Sequence, residues 1–343
     1  MKALKVLFAI ALVGALVVGL LYWRRKTMPP VEIPTMTGRE PQLLGAGRLR
    51  IFALDVGQGD AFLVVTPGGK AVLIDGGRGG TTDETILAKL QQLNVNSIDL
   101  AVASHPHSDH IVGLRHVMER VPVGALLDSG QQYASTEYER LLQTVRRRGV
   151  RYIAARRSMT FDLDSGVRLE AFNPMGDGQW ITDVRAGGSV ENANSVVLRL
   201  SYGEFAMIFT GDAEFETEAL MLKSPANLRA QVLKVGHHGS RYATSGRFLD
   251  RIQPETAVIS CGVDNRYSHP AQTTLDRLKK ANIKIHRTDL SGEIAIVSDG
   301  RSYQVQTRRT ADLQTLWVGR IGLEELATAR AGRSRKSGEE ERD

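Results

Sequence analysis

The sequence predicts a layered α/β fold in which mixed β-sheets are covered by helices. From about Leu49 onward, short apolar runs of strand character alternate with amphipathic runs of helical period. The first strands follow one another with no helical run between them, whereas the later ones alternate with helices. This order favours mixed sheets over a purely parallel, doubly wound sheet. A chain of 343 residues is long enough to bury both a core and an active site.

The individual elements follow from the period of the apolar residues and from the turn-forming residues between them. Strands are predicted at Arg50–Leu54, Ala61–Val65, Ala71–Ile74, Ile98–Ala103, Ala125–Leu127, Val167–Phe172, Ser195–Ser201, Phe205–Thr210, Gln231–Val235, Ala257–Ser260, Lys284–His286 and Glu293–Val297. Helices are predicted at Asp83–Leu93, Ile111–Arg120, Glu137–Arg147, Glu214–Leu222, Ser245–Ile252 and Thr273–Ala281.

The N-terminal segment differs from the rest of the chain. From Val6 to Trp23 it is almost wholly apolar and carries no charge, a length that crosses a hydrocarbon core of roughly 30 Å. Tyr22 and Trp23 are followed by Arg24-Arg25-Lys26, which is the aromatic and basic pattern of a membrane interface. We predict a transmembrane helix that anchors a single-pass, extracytoplasmic protein in the membrane. The alternative is a cleaved signal peptide and a secreted domain.

Composition divides the chain into four segments: an anchor or signal (residues 1–26), a Pro- and Gly-rich linker (27–48), a globular domain (49–309) and a charged, disordered tail (310–343). Lys and Arg number 44 against 38 Asp and Glu, so the formal charge is +6. This balance slightly favours phosphate-rich partners or acidic membrane surfaces. The single cysteine, Cys261, excludes an internal disulfide framework.

A dense group of metal-binding side chains follows the apolar strand Ile98–Ala103, in the stretch Ser104-His105-Pro106-His107-Ser108-Asp109-His110. Side chains two residues apart share a face of extended backbone, so His105 and His107 can bind one ion together. Asp109 and His110 fall where the chain turns into a helix, which lets them face a second ion. Imidazole and carboxylate groups suit zinc, manganese or iron. The alternative is a polar loop with chance histidines.

Two further strands end in the same kind of residue. The strand Phe205–Thr210 is followed by Gly211 and Asp212, and Val232–Val235 is followed by Gly236-His237-His238. Singly, such residues are ordinary turn or surface groups. Together with the first cluster, they provide the bridging carboxylate and the closing ligand that a centre with two metal ions requires.

These motifs, with Asp75 in the stretch Leu73–Gly77, resemble the metallo-β-lactamase superfamily. More narrowly, the chain is similar to the metallo-hydrolase domain of ComEC-type competence proteins. The similarity covers about Leu49 to Val305 and rests on four further motifs: Leu54-Asp-Val-Gly-Gln-Gly-Asp-Ala61, Asn194-Ser-Val-Val-Leu198, Leu233-Lys-Val-Gly-His-His-Gly-Ser240, and Arg287-Thr-Asp289 with Gly292. The resemblance implies an αββα sandwich with the metal ions at one edge between the two sheets.

The resemblance also assigns ligands by position. His105 and His107 hold the first ion, Asp212 bridges, and the second ion takes three ligands, namely Asp109, His110 and His237. His238 is the alternative to His237. The superfamily commonly has a further histidine before the strand that leads to Asp212, and residues 190–195 contain none. An oxygen of Asn194, of a serine or of water would fill this place, which favours manganese or a weak first site.

Several residues are predicted to support or complete the site. Asp75 and Asp60 are expected behind the ligands, with structural turns as the alternative. His269 is a candidate proton donor to the leaving group, unless it only packs. Ser240 is predicted to contact the substrate. Arg147 and Arg148 are predicted to do so as part of a basic stretch that follows a phosphate backbone; the alternative is a solvated helix face.

The predicted function is a metal-dependent phosphodiesterase or nuclease that acts on DNA. It would use two divalent ions, zinc or manganese, with a hydroxide held between them as the nucleophile. Asp109 and Asp212 are the carboxylates of this catalytic centre. Two alternatives stay open: hydrolysis of another phosphate ester or of a lactone, and a tethered binding module without turnover.

Overall fold

A computed structural model describes residues 47–176 and 178–308. Within these ranges two β-sheets stack face to face, and helices cover the outer face of each sheet. The predicted layered α/β fold is therefore confirmed as an αββα sandwich. The predicted anchor (residues 1–26), nearly all of the linker (27–48) and the predicted tail (310–343) lie outside the described residues. No helix within the described ranges has both the length and the apolar character needed to cross a bilayer.

The strands are β1 (Leu49–Ala53), β2 (Phe62–Val65), β3 (Ala71–Ile74), β4 (Ile98–Ala103), β5 (Val123–Asp128), β6 (Arg151–Ala154), β7 (Thr160–Asp162), β8 (Val167–Asn173), β9 (Val197–Tyr202), β10 (Phe205–Phe209), β11 (Val232–Lys234), β12 (Thr256–Ile259), β13 (Lys284–Arg287), β14 (Ile294–Ser298) and β15 (Tyr303–Thr307). The helices are α1 (Thr81–Gln92), α2 (Ser108–Arg120), α3 (Thr136–Arg148), α4 (Val190–Ala193), α5 (Phe215–Leu222), α6 (Gly246–Ile252), α7 (Gln272–Lys280) and α8 (Thr288–Ser291).

Both sheets are mixed, as the order of strands along the chain predicts. The first has the strand order β15-β14-β1-β2-β3-β4-β5-β6, and the second has the order β13-β12-β11-β10-β9-β8-β7. In the first sheet the pairs from β3 to β6 are parallel. In the second sheet the pairs from β10 to β13 are parallel. The parallel halves place the carboxyl ends of several strands at one edge of the sandwich, where ligands commonly bind in α/β folds.

The apolar core has three layers, and β4 shows why its sequence is continuously apolar. Leu100 and Val102 point into the layer between the sheets, whereas Ala101 and Ala103 point toward α1, α2 and α3. A strand that is buried on both faces has no solvent-facing position for polar residues. Between the sheets, the rings of Phe62 and Phe209 meet edge to face with centroids 5.4 Å apart. This packing fixes the distance between the two sheets near the site.

The structure differs from the sequence-based element prediction at the sheet edges and in two short helices. Strands β6, β7 and β15, and helices α4 and α8, were not predicted. In β6 three of the four residues are exposed, because this strand lies at an edge of the first sheet. Edge strands lack the buried alternation from which strands are predicted. Helix α2 begins at Ser108, three residues before its predicted start, so Asp109 and His110 lie in its first turn.

Candidate metal centre

The candidate site lies at the edge of the sandwich where β4, β10 and β11 end. His105 and His107 follow β4, Asp212 follows β10, and His237 and His238 follow β11. In each case the polar residues come shortly after the end of an apolar strand. The structure thus brings together all the predicted metal ligands.

Two glycines allow the loops of the site to approach one another. Gly211 has φ 52°, and a Cβ atom there would lie 2.9 Å from the Cβ of Ser104. Gly59 has φ 135°, and a Cβ atom there would lie 2.3 Å from the backbone oxygen of Asp109. Both positions combine a left-handed backbone with close contact, which a larger residue does not tolerate. The glycines therefore set the spacing between the loops that carry the ligands.

Asp212 is the centre of the group. Its Oδ2 lies 3.5 Å from Nε2 of both His110 and His238, 3.6 Å from Nε2 of His237, and 3.8 Å from Nε2 of His105. The side chain is buried. A single carboxylate oxygen is thus faced by four imidazole nitrogens.

His107 and Asp109 lie on the solvent side of this group. Nδ1 of His107 is 3.0 Å from Nε2 of His105, and Oδ2 of Asp109 is 3.8 Å from Nε2 of His238. Both residues line a cavity of about 550 Å³ that also exposes Asp212. A substrate can therefore reach the group from this side.

The carboxylate of Asp75 holds the histidine loop from behind. It accepts hydrogen bonds from the N–H and the hydroxyl of Ser104, at 2.8 and 2.7 Å. Its Oδ2 also lies 2.8 Å from Nδ1 of His110. The Nδ1–H of His110 therefore points at Asp75, and Nε2 is left toward Asp212. This is the arrangement that commonly fixes a metal-binding histidine.

The structure distinguishes the two adjacent histidines. Nδ1 of His238 lies 2.9 Å from the backbone oxygen of Ser260, so its Nε2 is free. Ligand atoms of Asp109, His110 and His238 all lie within 4.8 Å of one another. His238, named above as the alternative, thus occupies the place first expected for His237. The Nδ1 of His237 is instead 2.8 Å from Oε1 of Glu214.

Unpaired buried atoms test whether a metal fits this group. His110 Nε2, His238 Nε2 and Asp212 Oδ1 are buried and have no hydrogen-bond partner among the described residues. Buried polar atoms are nearly always paired, so an unpaired cluster indicates an ion or a ligand. Nitrogen and oxygen donors of this kind suit divalent metals. The residues therefore fit the metal centre that the sequence predicts.

Electrostatics keep His105 and Asp212 in forms that can bind cations. Burial, reinforced by the charge of His110, holds the pKa of His105 well below its usual value, so this imidazole is neutral. Burial alone would raise the pKa of Asp212, but the charges of His238, His110 and His237 outweigh it and hold this pKa well below the usual value. Asp212 is therefore ionised.

A buried lysine lies directly beneath the group and was not predicted from the sequence. The ammonium of Lys234 contacts the carboxylate of Asp60, donates to the backbone oxygen of Gly211 at 2.6 Å, and lies 3.8 Å from Oδ1 of Asp212. Burial opposes its charge, but Asp60 and Asp212 outweigh burial and raise the pKa of Lys234. The sequence signal was a single lysine at the end of the otherwise apolar strand β11. Lys234 anchors both carboxylates.

Asp60 joins this lysine to the histidines. Its Oδ1 lies 3.4 Å from Nδ1 of His238, and its Oδ2 lies 3.9 Å from Nδ1 of His110. The residue is buried behind the ligands. His269, the candidate proton donor, lines the cavity with its ring centroid 5.2 Å from that of His237.

Two predicted residues have other partners in the structure. Asn194 accepts a hydrogen bond from the N–H of Ile181 and donates to the backbone oxygens of Ile181 and Val190. These three bonds hold the amide in the loop, so the structure corrects the expectation that it replaces a ligand. Ser240 is buried, and its hydroxyl donates to Glu214 and accepts from the N–H of Tyr242. This placement corrects its expected contact with substrate.

The predicted basic stretch lies away from the cavity. Helix α3 presents its first residues to the cavity, whereas Arg147 and Arg148 lie at its other end, and Arg147 pairs with Glu119 at 3.2 Å. Arg78 and Arg266 line the cavity instead, and both are exposed. They are separate in sequence and form no basic run, so charge patterning did not find them.

The fold and the ligand geometry together define the class of protein. A family profile described as Metallo-beta-lactamase superfamily matches residues 54–263, and the chain belongs to this superfamily.

Two curated relatives indicate a narrower group within this superfamily. The chain is 29% identical over 259 residues to ComE operon protein 3 of Bacillus subtilis, covering 70% of this chain and 32% of that protein. It is 32% identical over 255 residues to Competence protein ComA of Neisseria gonorrhoeae, covering 74% of this chain and 33% of that protein. These relatives confirm the resemblance to ComEC-type competence proteins, and the chain spans about a third of their length.

Proposed function

We propose that this superfamily hydrolase is a phosphodiesterase that binds two divalent ions. The observation that carries the proposal is the convergence of unpaired nitrogens of His110 and His238 on the buried carboxylate of Asp212. His105 and His107 would hold the first ion, and His238 would join Asp109 and His110 at the second. When bound, the ions supply Lewis-acid activation of water and neutralise charge that develops on the substrate. Imidazole-rich ligands favour zinc, with manganese as the alternative.

The cavity supports an anionic substrate. Arg78 and Arg266 line it, and the guanidinium of Arg266 lies 4.9 Å from the ring centroid of Tyr267, which is itself exposed. Exposed cationic groups attract phosphates, and an exposed aromatic ring can stack on a base. The competence-related names of the relatives add support for DNA as the substrate.

His269 lies in the cavity as a candidate to hydrogen-bond and protonate the leaving group. Burial, with the charges of His237 and His238, lowers the pKa of His269 to about 4. Its Nδ1 is buried and has no hydrogen-bond partner within the described part of the chain. The ring is therefore uncharged at neutral pH. It can hydrogen-bond a leaving oxygen, and an anionic substrate in the cavity would raise its pKa toward that of an effective acid.

A substrate panel tests the proposal. The full chain, loaded with zinc or with manganese, is assayed on single-stranded and duplex DNA, on a bis-aryl phosphodiester and on a lactone, with Asp212→Ala as the control for contaminating nucleases. Cleavage of DNA and of the diester that is lost in Asp212→Ala is the expected result. Turnover of the lactone without the diesters would contradict it and favour the alternative esterase. Bound metal without turnover of any substrate would favour a binding module.

We also propose that residues 1–26 tether the domain to a membrane. The support is the uncharged apolar run from Val6 to Trp23 and the basic triplet that follows it. Carbonate extraction of membranes from cells that produce the full chain tests this. Retention in the membrane pellet is expected, whereas release of a shortened protein would indicate a cleaved signal peptide.

A further inference from the structure

Two consecutive histidines present their rings to the same site, which extended backbone does not allow. Successive side chains of a strand point to opposite faces. After β11, however, the chain enters a tight turn with a left-handed backbone, in which His237 has φ 45° and ψ 54°, and His238 has φ 52° and ψ 22°. The two rings then lie 5.9 Å apart. Non-glycine residues rarely adopt these angles, and such residues cluster at functional sites.

We propose that His237 supplies the third nitrogen of the first metal position, beside His105 and His107, and that Glu214 orients its ring. This inference rests on the centre with two ions proposed above. Zinc in catalytic sites keeps one position for water and can expand to five ligands during the reaction. His105, His107 and the shared Asp212 provide three ligands, so a third imidazole would fill the fourth position and leave the fifth to water.

The contacts of His237 are those of a metal ligand whose Nδ1 is fixed by a carboxylate while its Nε2 faces the site. Its Nδ1 lies 2.8 Å from Oε1 of Glu214, so the Nδ1–H donates to this carboxylate. Its Nε2 then carries the lone pair and lies 3.6 Å from Oδ2 of Asp212. The same oxygen lies 3.8 Å from Nε2 of His105. His237 therefore faces the oxygen that His105 faces.

Glu214 is built to hold this orientation. Its side chain is 3% exposed, and its Oε2 accepts from Nη2 of Arg185 at 2.7 Å. The hydroxyl of Ser240 donates to Oε1 at 3.2 Å. A buried carboxylate with these partners is fixed in position, so the ring of His237 cannot rotate freely. Carboxylates in this position raise the basicity of the histidine that they orient.

The neighbouring donors leave this role to His237. His238 is already assigned to the second ion, because its Nε2 also lies 3.8 Å from Oδ2 of Asp109. Asn192 is the competing donor, because its Oδ1 is buried and has no partner among the described residues, and its Nδ2 lies 3.4 Å from Nδ1 of His237. An amide oxygen is a harder ligand than imidazole. Zinc should therefore prefer the imidazole of His237 to the amide of Asn192, and the effect of each substitution on zinc binding distinguishes the two donors.

Metal stoichiometry and affinity, measured on the full chain with zinc alone, test the inference without reference to activity. Wild type, His237→Ala, Asn192→Ala and His116→Ala are dialysed against zinc and analysed by elemental analysis and by competition with a chromophoric chelator. His116 lies on α2 and pairs with Asp83, so it serves as the matched histidine control. Two ions per chain are expected for wild type, Asn192→Ala and His116→Ala, and one ion for His237→Ala.

Glu214→Gln provides a second variant in case His237→Ala fails to fold, and thermal unfolding of the metal-free proteins identifies such a failure. Loss of the orienting carboxylate should weaken one of the two ions by about 10- to 100-fold and leave the other unchanged. Cobalt substitution should show the same loss as a reduced absorption of one tetrahedral centre.

Two results would overturn the inference: unchanged zinc binding in both His237→Ala and Glu214→Gln, or loss of one ion in Asn192→Ala but not in His237→Ala. Fewer than two ions in wild type would also contradict it. Two ions in wild type and one in His237→Ala, with no cleavage of any phosphodiester, would refute the proposed substrate and leave the role of His237 supported.

Discussion

Nδ1 of His110 lies 2.8 Å from Oδ2 of Asp75, and both residues are buried. This contact joins the end of β3 to the first turn of α2. Asp75 has φ 57°, a left-handed conformation that lets its carboxylate also reach both the N–H and the hydroxyl of Ser104. One carboxylate therefore sets the position of His110 and the path of the loop that carries the other ligands.

Replacing Asp75 with alanine should weaken metal binding by about 10- to 100-fold, because His110 loses the partner that fixes its ring. Zinc affinity measured by chelator competition checks this. Asp83→Ala is the control, since Asp83 is also a buried acid near this helix but pairs with Arg120 and His116. It should lower the melting temperature and leave the affinity unchanged. Equal affinities for Asp75→Ala and wild type would show that the contact does not orient a ligand.

The sequence predicted those parts of the site in which several metal-binding side chains are close together along the chain. His105, His107, Asp109 and His110 stand together at the end of a strand, so spacing alone predicted a shared site. Strand β4 was predicted with its observed bounds because both of its faces are buried.

The remaining parts depend on tertiary contacts that no local pattern encodes. Glu214 and Lys234 meet the ligands only because α5 and β11 return to the same edge of the sandwich. The choice between His237 and His238 depends on backbone angles in a single turn, which residue identity does not determine. Likewise Arg78 and Arg266 are distant in sequence and come together only around the cavity.

Metal affinity should rise with pH. Burial alone would lower the pKa of His110, but the carboxylates of Asp212 and Asp75 outweigh it and hold this pKa well above the usual value. The metal-free centre therefore carries a proton that an ion must displace, and binding releases it. Calorimetric titrations at a series of pH values, in buffers that differ in ionisation enthalpy, should show proton release and a falling Kd as pH rises. A Kd that is independent of pH would contradict this.

The same proton should affect the stability of the metal-free protein. Because the folded pKa of His110 is raised, its contribution is fully present below the pKa of an unfolded histidine and is lost as pH rises through the folded value. Metal-free protein should therefore become less stable over this pH range.

Asp212→Ala and His107→Ala should each reduce hydrolysis to background. The first removes the oxygen that faces four imidazoles, and the second leaves its ion with too few ligands. His116→Ala should leave kcat nearly unchanged, because this histidine contacts Asp83 away from the cavity. Rates on a bis-aryl phosphodiester at saturating metal check all three variants. Activity of Asp212→Ala comparable to wild type would refute the mechanism with two ions.

His269→Gln should slow substrates according to their leaving groups. A poor alkoxide leaving group, as in DNA, needs a proton during departure, whereas a nitrophenolate does not. The variant should therefore lose kcat on an oligonucleotide and keep most of it on bis-p-nitrophenyl phosphate. His286→Gln is a matched control, because burial and the charge of Lys284 also lower the pKa of His286 to about 4, yet this residue lies on β13. Equal losses of kcat on both substrates would assign His269 a structural role.

The two sets of arginines lead to opposite expectations for nucleic acid binding. Arg78 and Arg266 line the cavity above the candidate metal centre, so a phosphate next to the cleaved bond would contact them. Arg147 and Arg148 lie at the far end of α3, where only a longer strand would reach them. Replacing Arg78 and Arg266 with alanine should therefore raise KM for a short oligonucleotide and leave kcat less affected, as expected when binding contacts are lost. Replacing Arg147 and Arg148 should change KM only for longer strands.

Each phosphate contact that is lost should flatten the log–log dependence of affinity on salt by about 0.7 for single strands. Measurements of KM at several salt concentrations, on a short and a long oligonucleotide, separate the two sets. A KM that does not depend on salt in wild type would contradict a polyanionic substrate and favour a small uncharged ester.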